Sequence, residues 1–392
     1  MLNFEYYTPT KVVFGKAAEE QVGGLVKAQG CKKVLVHYGG QSAKKSGLID
    51  RIAESLKAAG IDYCMLGGVV PNPRMSKVYE GLELCKEEGV DFILAVGGGS
   101  VIDSAKAIGY GIANDCDPWD IYSGKTDAKA CLPIGAVLTI AAAGSEMSDS
   151  SVLTNEDGWL KKGYSSDYCR CKFAIMNPEL TYTLPEYQTM SGCTDIMMHT
   201  MERYFNMCDN MELNDSFCEA LIRNTMKYTK VLLEDPKNYD ARAEVMWAGS
   251  LSHNGLLQAG NDGGDWATHR LEHELGGMFD VTHGAGLAAV WGSWARYVLD
   301  ANPARFAKFA VNVMGVEPAG DDTATAVKGI EAMEAFYRSI KMPTSLKELG
   351  VDASDAQIEE MADKCTSGGT ATVGCMKKIG KTDAIAIYNM AK

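Results

Sequence analysis

The sequence has no apolar run that approaches the ~20 residues of a membrane-spanning helix, which argues against a transmembrane protein. Its N-terminus lacks the basic and then apolar layout of a secretory signal peptide. The 12 cysteines include no CxxC pair and are scattered singly, apart from Cys169 and Cys171. In a chain of this length such cysteines predict reduced thiols in a cytoplasmic protein rather than a disulfide framework.

Positive charge is also scarce, since 38 lysines and arginines stand against 51 aspartates and glutamates, for a formal net charge of −13. This balance argues against nucleic acid or an anionic membrane as a partner. The hydrophobic fraction of 46% and the charged fraction of 23% are typical of a soluble globular protein. A length of 392 residues exceeds one ordinary core, so we expect two domains.

Residues 1–182 alternate short apolar runs, rich in β-branched residues, with segments of helical periodicity. Residues 32–40 and 91–100 predict buried strands, and residues 75–89 predict a helix that ends at Gly89. Strands separated by such helices form right-handed βαβ units, so we predict an α/β domain with a doubly wound, Rossmann-like parallel sheet. We expect residues 150–180 to form a hairpin insertion that closes this domain.

Strand patterns fade from residue 183 onward, and the remaining segments show helical spacing. We therefore predict a second, all-α domain over residues 183–392. The boundary rests on this change of periodicity and on Pro178 and Pro185, because no low-complexity linker separates the two halves.

Three of the six histidines, His269, His273 and His283, lie close together in the second half. His269 and His273 are four residues apart, so they share one face of a predicted helix. We expect the Gly276-Gly277 pair to end that helix before His283.

A second pair, Asp195 and His199, lies far upstream and is also spaced by four residues. Imidazole nitrogens with one carboxylate suit a divalent transition metal such as zinc or iron(II). Together with the three clustered histidines this makes a candidate set of five, one more than a tetrahedral ion requires.

One segment within this set allows a different interpretation. His269, Glu272 and His273 match HxxEH, a zinc-protease signature in which both histidines bind zinc and the glutamate is the base. So short a match is frequent by chance, and a protease has no use for a dinucleotide-binding domain. A zinc hydrolase therefore stays a distant alternative.

The predicted strand that opens into Gly97-Gly98-Gly99-Ser100 is followed by a helix and can form an anion site. Glycines let the backbone approach a phosphate, and free N–H groups at the helix start point toward it. Ser100 and Ser104 can add hydroxyl donors. Glycine clusters also mark ordinary strand–helix turns, so the pattern alone leaves both interpretations open. It is neither a Walker loop nor a well-spaced GxGxxG, which disfavours ATP chemistry.

The tip of the first predicted strand, residues 32–40, bears on the choice of coenzyme. Many dinucleotide-binding folds place an acidic residue there, which binds the ribose hydroxyls and repels a 2′-phosphate. Here Gly39, Gly40, Gln41 and Ser42 are followed by two lysines, with no acid. The tip predicts tolerance of NADP, although an ordinary turn with solvated lysines explains it as well.

Taken together, the Asp195/His199 pair, the HRLEH segment and the HGAG loop resemble the iron-containing (group III) alcohol dehydrogenase family. Within it, the NADPH-dependent butanol dehydrogenase and aldehyde reductase branch is the most similar. The resemblance covers nearly the whole length, in the motifs PTKVVFGK, PNPR, GGGSVID, TIAAAGSEM and GGDWATHRLEHELGGMFDVTHGAGLA. Several separated motifs in the same order make it far more specific than any single one.

The resemblance implies a dehydroquinate synthase-like architecture, in which a dinucleotide-binding domain and a helical metal-binding and substrate domain flank a cleft. It implies one Fe2+ or Zn2+ held by Asp195, His199, His269 and His283, with His273 beside the nicotinamide as a proton-relay residue. Coenzyme contacts are implied for Gly39, Gly40, Ser42, Gly97, Gly98, Gly99, Ser100, Asp103, Thr139 and one of Lys161 and Lys162.

The family also implies an activity: hydride transfer between NADP(H) or NAD(H) and a small aldehyde or primary alcohol, such as butyraldehyde or butanol, by a homodimer. An aspartate at the Gly40 position goes with NAD in this family, so glycine there implies NADP(H). One departure is Ala143, where the family has the threonine of TGSE, because a lost hydroxyl removes a hydrogen bond typically worth ~1 kcal/mol.

Other functions stay open on the same residues. A glycerol or 1,3-propanediol dehydrogenase would use the same metal and coenzyme sites. A dehydroquinate synthase should carry many basic residues for a phosphate-bearing substrate, which the helical half does not display around its motifs. A redox sensor that binds NADP(H) without turnover should lack a metal ligand, and none is missing.

Overall fold

The computed structural model describes residues Met1–Lys392, which divide into two compact units. One unit is Tyr7–Leu184, and the other is Pro185–Lys392 together with Met1–Tyr6. The first residues join the second unit because the Leu2 N–H donates to the Gly260 carbonyl oxygen at 2.7 Å. Periodicity alone places them with residues 7–182, since nothing in a short terminal segment signals such a return.

The unit Tyr7–Leu184 is built on a six-stranded parallel sheet with strand order β1-β8-β5-β4-β2-β3, beside a separate two-stranded hairpin, β6-β7. The strands are β1 Lys11–Phe14, β2 Lys33–Tyr38, β3 Asp62–Leu66, β4 Phe92–Gly97, β5 Ile134–Leu138, β6 Ser150–Asn155, β7 Leu160–Ser165 and β8 Phe173–Met176. The helices of this unit are α1 Val22–Lys27, α2 Ser42–Lys45, α3 Leu48–Ala59, α4 Met75–Glu88, α5 Gly99–Asn114 and α6 Pro118–Tyr122.

The sequences of the central strands are continuous apolar runs because the sheet is covered on both faces. Every residue of β4, β5 and β8 is buried, as expected for parallel strands packed between helices. The parallel pairing of β2 with β3 and β4, and of β4 with β5, confirms the predicted doubly wound α/β fold.

The segment 150–180 contains the predicted hairpin and one strand that was not predicted. Strands β6 and β7 pair antiparallel. Strand β8, however, lies inside the main sheet between β1 and β5, where Phe173 stacks on Phe92 with ring centroids 5.9 Å apart. The expectation that the whole segment is an insertion was wrong for this strand, because four apolar residues are too few to show which sheet they join.

The second unit is helical, and its only β pairing is an isolated bridge between Val373 and Ile379. Its helices are α7 Glu186–Tyr204, α8 Glu212–Glu234, α9 Tyr239–His253, α10 Ala267–Phe279, α11 His283–Val298, α12 Pro303–Asn312, α13 Asp322–Ser339, α14 Leu346–Leu349, α15 Asp355–Cys365 and α16 Lys381–Ala391. No helix in either unit is both long enough and apolar enough to cross a membrane.

Helix α7 is central to this unit. Sixteen of its residues are buried, on all sides of the helix, and α8, α9 and α11 pack against it. This burial leaves no polar face for solvent, so the polar side chains of α7 must find partners inside the protein.

Helix α10 runs through the two glycines that were expected to end it. It continues past Gly276 and Gly277 to Phe279 and ends at Asp280, whose φ of +52° is left-handed. A glycine costs a helix interior about 1 kcal/mol relative to alanine, and burial of both glycines among packed helices offsets that cost. The consequence is that α11 begins directly at His283, close to the end of α10.

Candidate metal centre and coenzyme loop

The four side chains implied as metal ligands come from three helices of the second unit. Asp195 and His199 are one turn apart on α7, His269 lies in the first turn of α10, and His283 is the first residue of α11. From Asp195 Oδ1 the distances are 3.3 Å to His199 Nδ1, 3.8 Å to His269 Nε2 and 3.6 Å to His283 Nε2. Two ligands of a tetrahedral ion, each about 2.1 Å from it, lie roughly 3.4 Å apart. The structure therefore places all three histidines within 4 Å of Asp195 Oδ1. The ligand atoms of Asp195, His199 and His269 all lie within 4.8 Å of one another, and His283 joins this group through Asp195.

Three of these groups are buried and have polar atoms that form no hydrogen bond. Asp195, His199 and His269 are 3–4% exposed, yet Asp195 Oδ1, His199 Nδ1 and His269 Nε2 have no hydrogen-bond partner. An unsatisfied buried polar atom costs about 1–3 kcal/mol. A divalent ion would satisfy all three atoms at once, and a donor set of one carboxylate and three imidazoles fits Fe2+ or Zn2+.

The opposite nitrogens of two of the rings contact buried glutamates, and these contacts were not predicted from the sequence. His269 Nδ1 lies 2.8 Å from Glu202 Oε1, and His283 Nδ1 hydrogen-bonds Glu272 Oε2. Imidazoles that bind metals commonly donate their second N–H to a carboxylate. A signal existed, because each glutamate follows a candidate ligand histidine by three residues, on the same helix face.

Burial and neighbouring charges shift the pKa values of two of the rings in opposite directions. The pKa of His199 is held well below its ordinary value because burial disfavours the charged ring, and His253 and His269 lie beside it. Burial also acts to lower the pKa of His269, but the carboxylates of Asp195 and Glu202 outweigh it and raise that pKa to about 9.

His273 lies at the edge of this centre, one turn beyond His269 on α10. Its ring centroid is 6.5 Å from that of His269 and 5.9 Å from that of His283. It groups with Glu272 and His283, apart from the group of Asp195, His199 and His269. The implied role as a proton-relay residue outside the ligand set stays a prediction.

The zinc-hydrolase alternative needs Glu272 as a base beside an ion held by His269 and His273. Glu272 is fully buried and hydrogen-bonds the His283 ring, and His269 Nε2 faces Asp195. The carboxylate is therefore committed to an imidazole, which does not favour that alternative.

In the first unit, the glycines after β4 lead into α5 as expected for an anion-binding turn. Gly98 precedes the first turn of α5, so free N–H groups stand at the end of the sheet. A Cβ at Gly97 would lie 2.4 Å from Val101, one at Gly98 2.0 Å from Ile140, and one at Gly99 2.9 Å from Ala143. Close packing therefore requires glycine at these positions whether or not a phosphate binds.

Two side chains of this helix turn inward. Ser104 is fully buried and bonds His37 Nε2 at 2.9 Å, so its hydroxyl does not face the start of α5 as a phosphate donor would. Asp103 accepts from the Ser145 hydroxyl at 2.5 Å and from the Val152 N–H at 2.9 Å. Asp103 thus holds the segment that follows β5, and its implied contact with a coenzyme stays a prediction.

The remaining residues implied in coenzyme binding lie at the same edge of the sheet or on the hairpin. Thr139 follows β5, and its N–H donates to the Gly97 carbonyl oxygen at 3.1 Å. Gly39 and Gly40 follow β2, and Ser42 begins α2. Lys161 and Lys162 lie on β7. The carboxyl ends of β2, β4 and β5 therefore present the glycines and Thr139 at one edge of the sheet, since parallel strands end at one edge.

Two family descriptions match this chain and cover most of it. Residues 9–178 match "Iron-containing alcohol dehydrogenase", and residues 189–391 match "Fe-containing alcohol dehydrogenase family, C-terminal". The chain is 42% identical over 388 residues, 99% of both chains, to "Probable NADH-dependent butanol dehydrogenase 1" of Bacillus subtilis. It is 34% identical over 396 residues, 100% of both chains, to "NADPH-dependent aldehyde reductase YqhD" of Escherichia coli.

A solved structure gives the same relationship in three dimensions. The NADH-dependent butanol dehydrogenase A of Thermotoga maritima aligns with a TM-score of 0.95 and 39% identity, over 100% of this chain and 99% of that one. Both units are therefore shared with this relative, along with their order in the chain.

Proposed function

Because the chain belongs to the iron-containing alcohol dehydrogenase family, we propose that it reduces small aldehydes to primary alcohols with NAD(P)H, with butyraldehyde and butanol as a representative pair. The family membership that the motifs predict is confirmed, and with it the class of NAD(P)-dependent alcohol dehydrogenase. The names of the relatives, butanol dehydrogenase and aldehyde reductase, support the substrate class. A 1,3-propanediol dehydrogenase of Citrobacter freundii, 32% identical over 370 residues, supports a diol as a second candidate substrate.

The observation that carries the proposal is the approach of His199, His269 and His283 to within 4 Å of Asp195 Oδ1, with three buried ligand atoms that lack hydrogen bonds. We assign these four residues as the ligands of one Fe2+ or Zn2+. When bound, such an ion supplies Lewis-acid polarisation of a carbonyl oxygen.

The residues of the chain contribute binding, alignment and a proton. The reaction takes a hydride from the nicotinamide to the aldehyde carbon and a proton to the carbonyl oxygen. We assign the proton to His273, whose ring centroid is 6.5 Å from that of His269 and 5.9 Å from that of His283. The residues assigned to hold the coenzyme are Gly39, Gly40, Ser42, Gly97, Gly98, Gly99, Ser100, Asp103, Thr139 and Lys162.

We further propose a preference for NADP(H) over NAD(H). Gly40 is exposed and no acid stands at the tip of β2, whereas Lys44 and Lys45 follow in α2. A 2′-phosphate would meet positive rather than negative charge there. The relatives include NADH-dependent and NADPH-dependent enzymes, so they support both coenzymes without selecting one.

We also propose a homodimer and a cytoplasmic location. The homodimer rests on the family resemblance, and sedimentation velocity tests it. The cytoplasmic location rests on twelve cysteines that form no disulfide.

The experiment that tests the function follows NADPH and NADH oxidation with butyraldehyde in metal-stripped protein, to which zinc or iron is restored separately. We expect oxidation that requires both aldehyde and metal. Absence of aldehyde-dependent oxidation with either metal would contradict the proposed function, and faster turnover with NADH would contradict the coenzyme preference alone. His269→Ala should lose the ion, whereas His253→Ala, whose ring neighbours His199 at 4.3 Å, should retain it.

A further inference from the structure

Glu202 connects two of the helices that carry the proposed ligands. It lies on α7, is 2% exposed, and directs both carboxylate oxygens at α10. Its Oε1 lies 2.8 Å from His269 Nδ1 and accepts from the His269 backbone N–H at 3.0 Å. Its Oε2 accepts from the Trp266 N–H at 2.7 Å.

The start of α10 depends on this carboxylate. The residue at the N-cap position, Trp266, has a left-handed φ of +61° and its side chain caps nothing. Two of the N–H groups that a helix start leaves unpaired, those of Trp266 and His269, bond Glu202 instead. The backbone and the ring of His269 are therefore oriented by one residue of the neighbouring helix.

The same contact decides which ring nitrogen of His269 carries the hydrogen. A carboxylate accepts hydrogen bonds and does not donate, so the nitrogen that faces Glu202, Nδ1, must be the N–H. In the neutral ring the lone pair then lies on Nε2, which is the nitrogen that faces Asp195. A metal requires an unprotonated ring nitrogen, so this tautomer is the one that can bind an ion at the candidate site.

We propose that Glu202 is a positioning residue that sets the metal-ligating tautomer of His269. The inference rests on the proposed metal site. This role accounts for a buried carboxylate whose three hydrogen-bond partners are N–H groups of Trp266 and His269.

The test replaces the carboxylate by an amide of the same shape. In wild type, two carboxylate oxygens of Glu202 accept from three N–H groups, whereas in Glu202→Gln only one side-chain oxygen can accept. An NH2 group that faces Nδ1 favours the ring with its hydrogen on Nε2. In that tautomer Nε2 cannot bind the ion. We expect zinc affinity, measured by competition with a chelator, to fall 10- to 100-fold. The matched control is Glu219→Gln on α8, another buried glutamate, which accepts from the Tyr204 hydroxyl and from the Asn312 side-chain amide. The zinc affinity of this variant should stay unchanged.

Two further measurements separate the possible outcomes. Histidine nitrogen NMR of the zinc-loaded wild-type protein should show His269 ligated through Nε2 with an N–H at Nδ1, and ligation through Nδ1 would overturn the inference without any variant. Zinc affinity of a folded Glu202→Gln protein within twofold of wild type would also overturn it. If His269→Ala keeps full zinc affinity, the proposed metal site itself fails.

Discussion

The Nζ atom of Lys106 lies 2.8 Å from the carbonyl oxygen of Ser145, inside the unit Tyr7–Leu184. The same ammonium donates to the carbonyl oxygens of Ser148 at 3.0 Å and Ser150 at 2.8 Å, and the side chain is fully buried. One lysine of α5 thus fixes the segment between β5 and β6. That segment follows Thr139 and includes the family's TGSE position, so its conformation bears on the proposed coenzyme site.

Lys106→Met should weaken coenzyme binding and leave the metal site intact. Removing the ammonium leaves three carbonyl oxygens without this donor, and each lost hydrogen bond costs about 1 kcal/mol or more. The segment between β5 and β6 should therefore no longer be held in one conformation. We expect the Kd for NADPH to rise at least fivefold in calorimetric titrations, with metal content unchanged. Lys86→Met on α4, an exposed lysine 3.8 Å from Asp115, is the control. An unchanged Kd in folded Lys106→Met would refute the prediction.

Gly40→Asp should shift the coenzyme preference toward NADH. A Cβ at Gly40 meets nothing within 4 Å, so the side chain fits without displacement. Its carboxylate would repel a 2′-phosphate and accept from ribose hydroxyls. We expect the ratio of kcat/KM for NADPH to that for NADH to fall at least tenfold. Gly24→Asp adds the same charge at another exposed glycine whose Cβ meets nothing within 4 Å, and should leave the ratio unchanged.

His273→Ala should slow turnover without loss of the ion. If His273 supplies the proton, its removal should lower kcat by about 100-fold or more, the usual size of a general acid–base contribution. Metal content, measured by atomic absorption, should stay at the wild-type level. Loss of the ion from this variant would show that His273 is a ligand and that the assigned role is wrong.

His37 should make the protein less stable as the pH falls. Its Nδ1 lies 3.1 Å from the Leu66 carbonyl oxygen, and burial lowers its pKa to about 4, with Lys77 adding to the effect. Between pH 6.5 and pH 4 the unfolded chain binds a proton that the folded His37 ring does not bind. The free energy of unfolding therefore decreases as the pH is lowered, by about 3 kcal/mol over this range.

Urea unfolding at several pH values checks this slope. His37→Gln should be less stable than wild type at pH 7, because the bonds to Leu66 and Ser104 are disturbed, yet it should lose less stability on acidification. Ser104→Ala keeps the buried ring and should retain the slope. A wild-type slope equal to that of His37→Gln would show that His37 does not cause it.

Local periodicity explains why much of the architecture could be predicted. Buried parallel strands are continuous apolar runs, and helices of the first unit end at residues such as Gly89, whose φ of +65° suits glycine. The same local signals failed where packing overrides them. Gly276 and Gly277 do not end α10, and β8 joins the main sheet, because both outcomes depend on what surrounds the segment.

For the candidate metal site, the ligands could be predicted from the sequence, whereas the contacts that orient them could not. Asp195 and His199 are four residues apart on one helix, so their shared face is a property of the sequence, and a specific set of family motifs adds His269 and His283. Glu202 and Lys106 were missed, and Glu272 was named only as the base of the zinc-hydrolase alternative. Their partners lie on other helices or, for Lys106, on a segment after a later strand.

By itself, the sequence determined the two-unit order, the family and the four candidate metal ligands, because helix spacing and motif order are properties of the chain alone. The tertiary structure decided which nitrogen of His269 faces Asp195 and which faces Glu202. That choice depends on the contact between Glu202 of α7 and His269 of α10, which are 67 residues apart in the chain. No pattern along the chain encodes such a contact, because a hydrogen bond forms between positions in space.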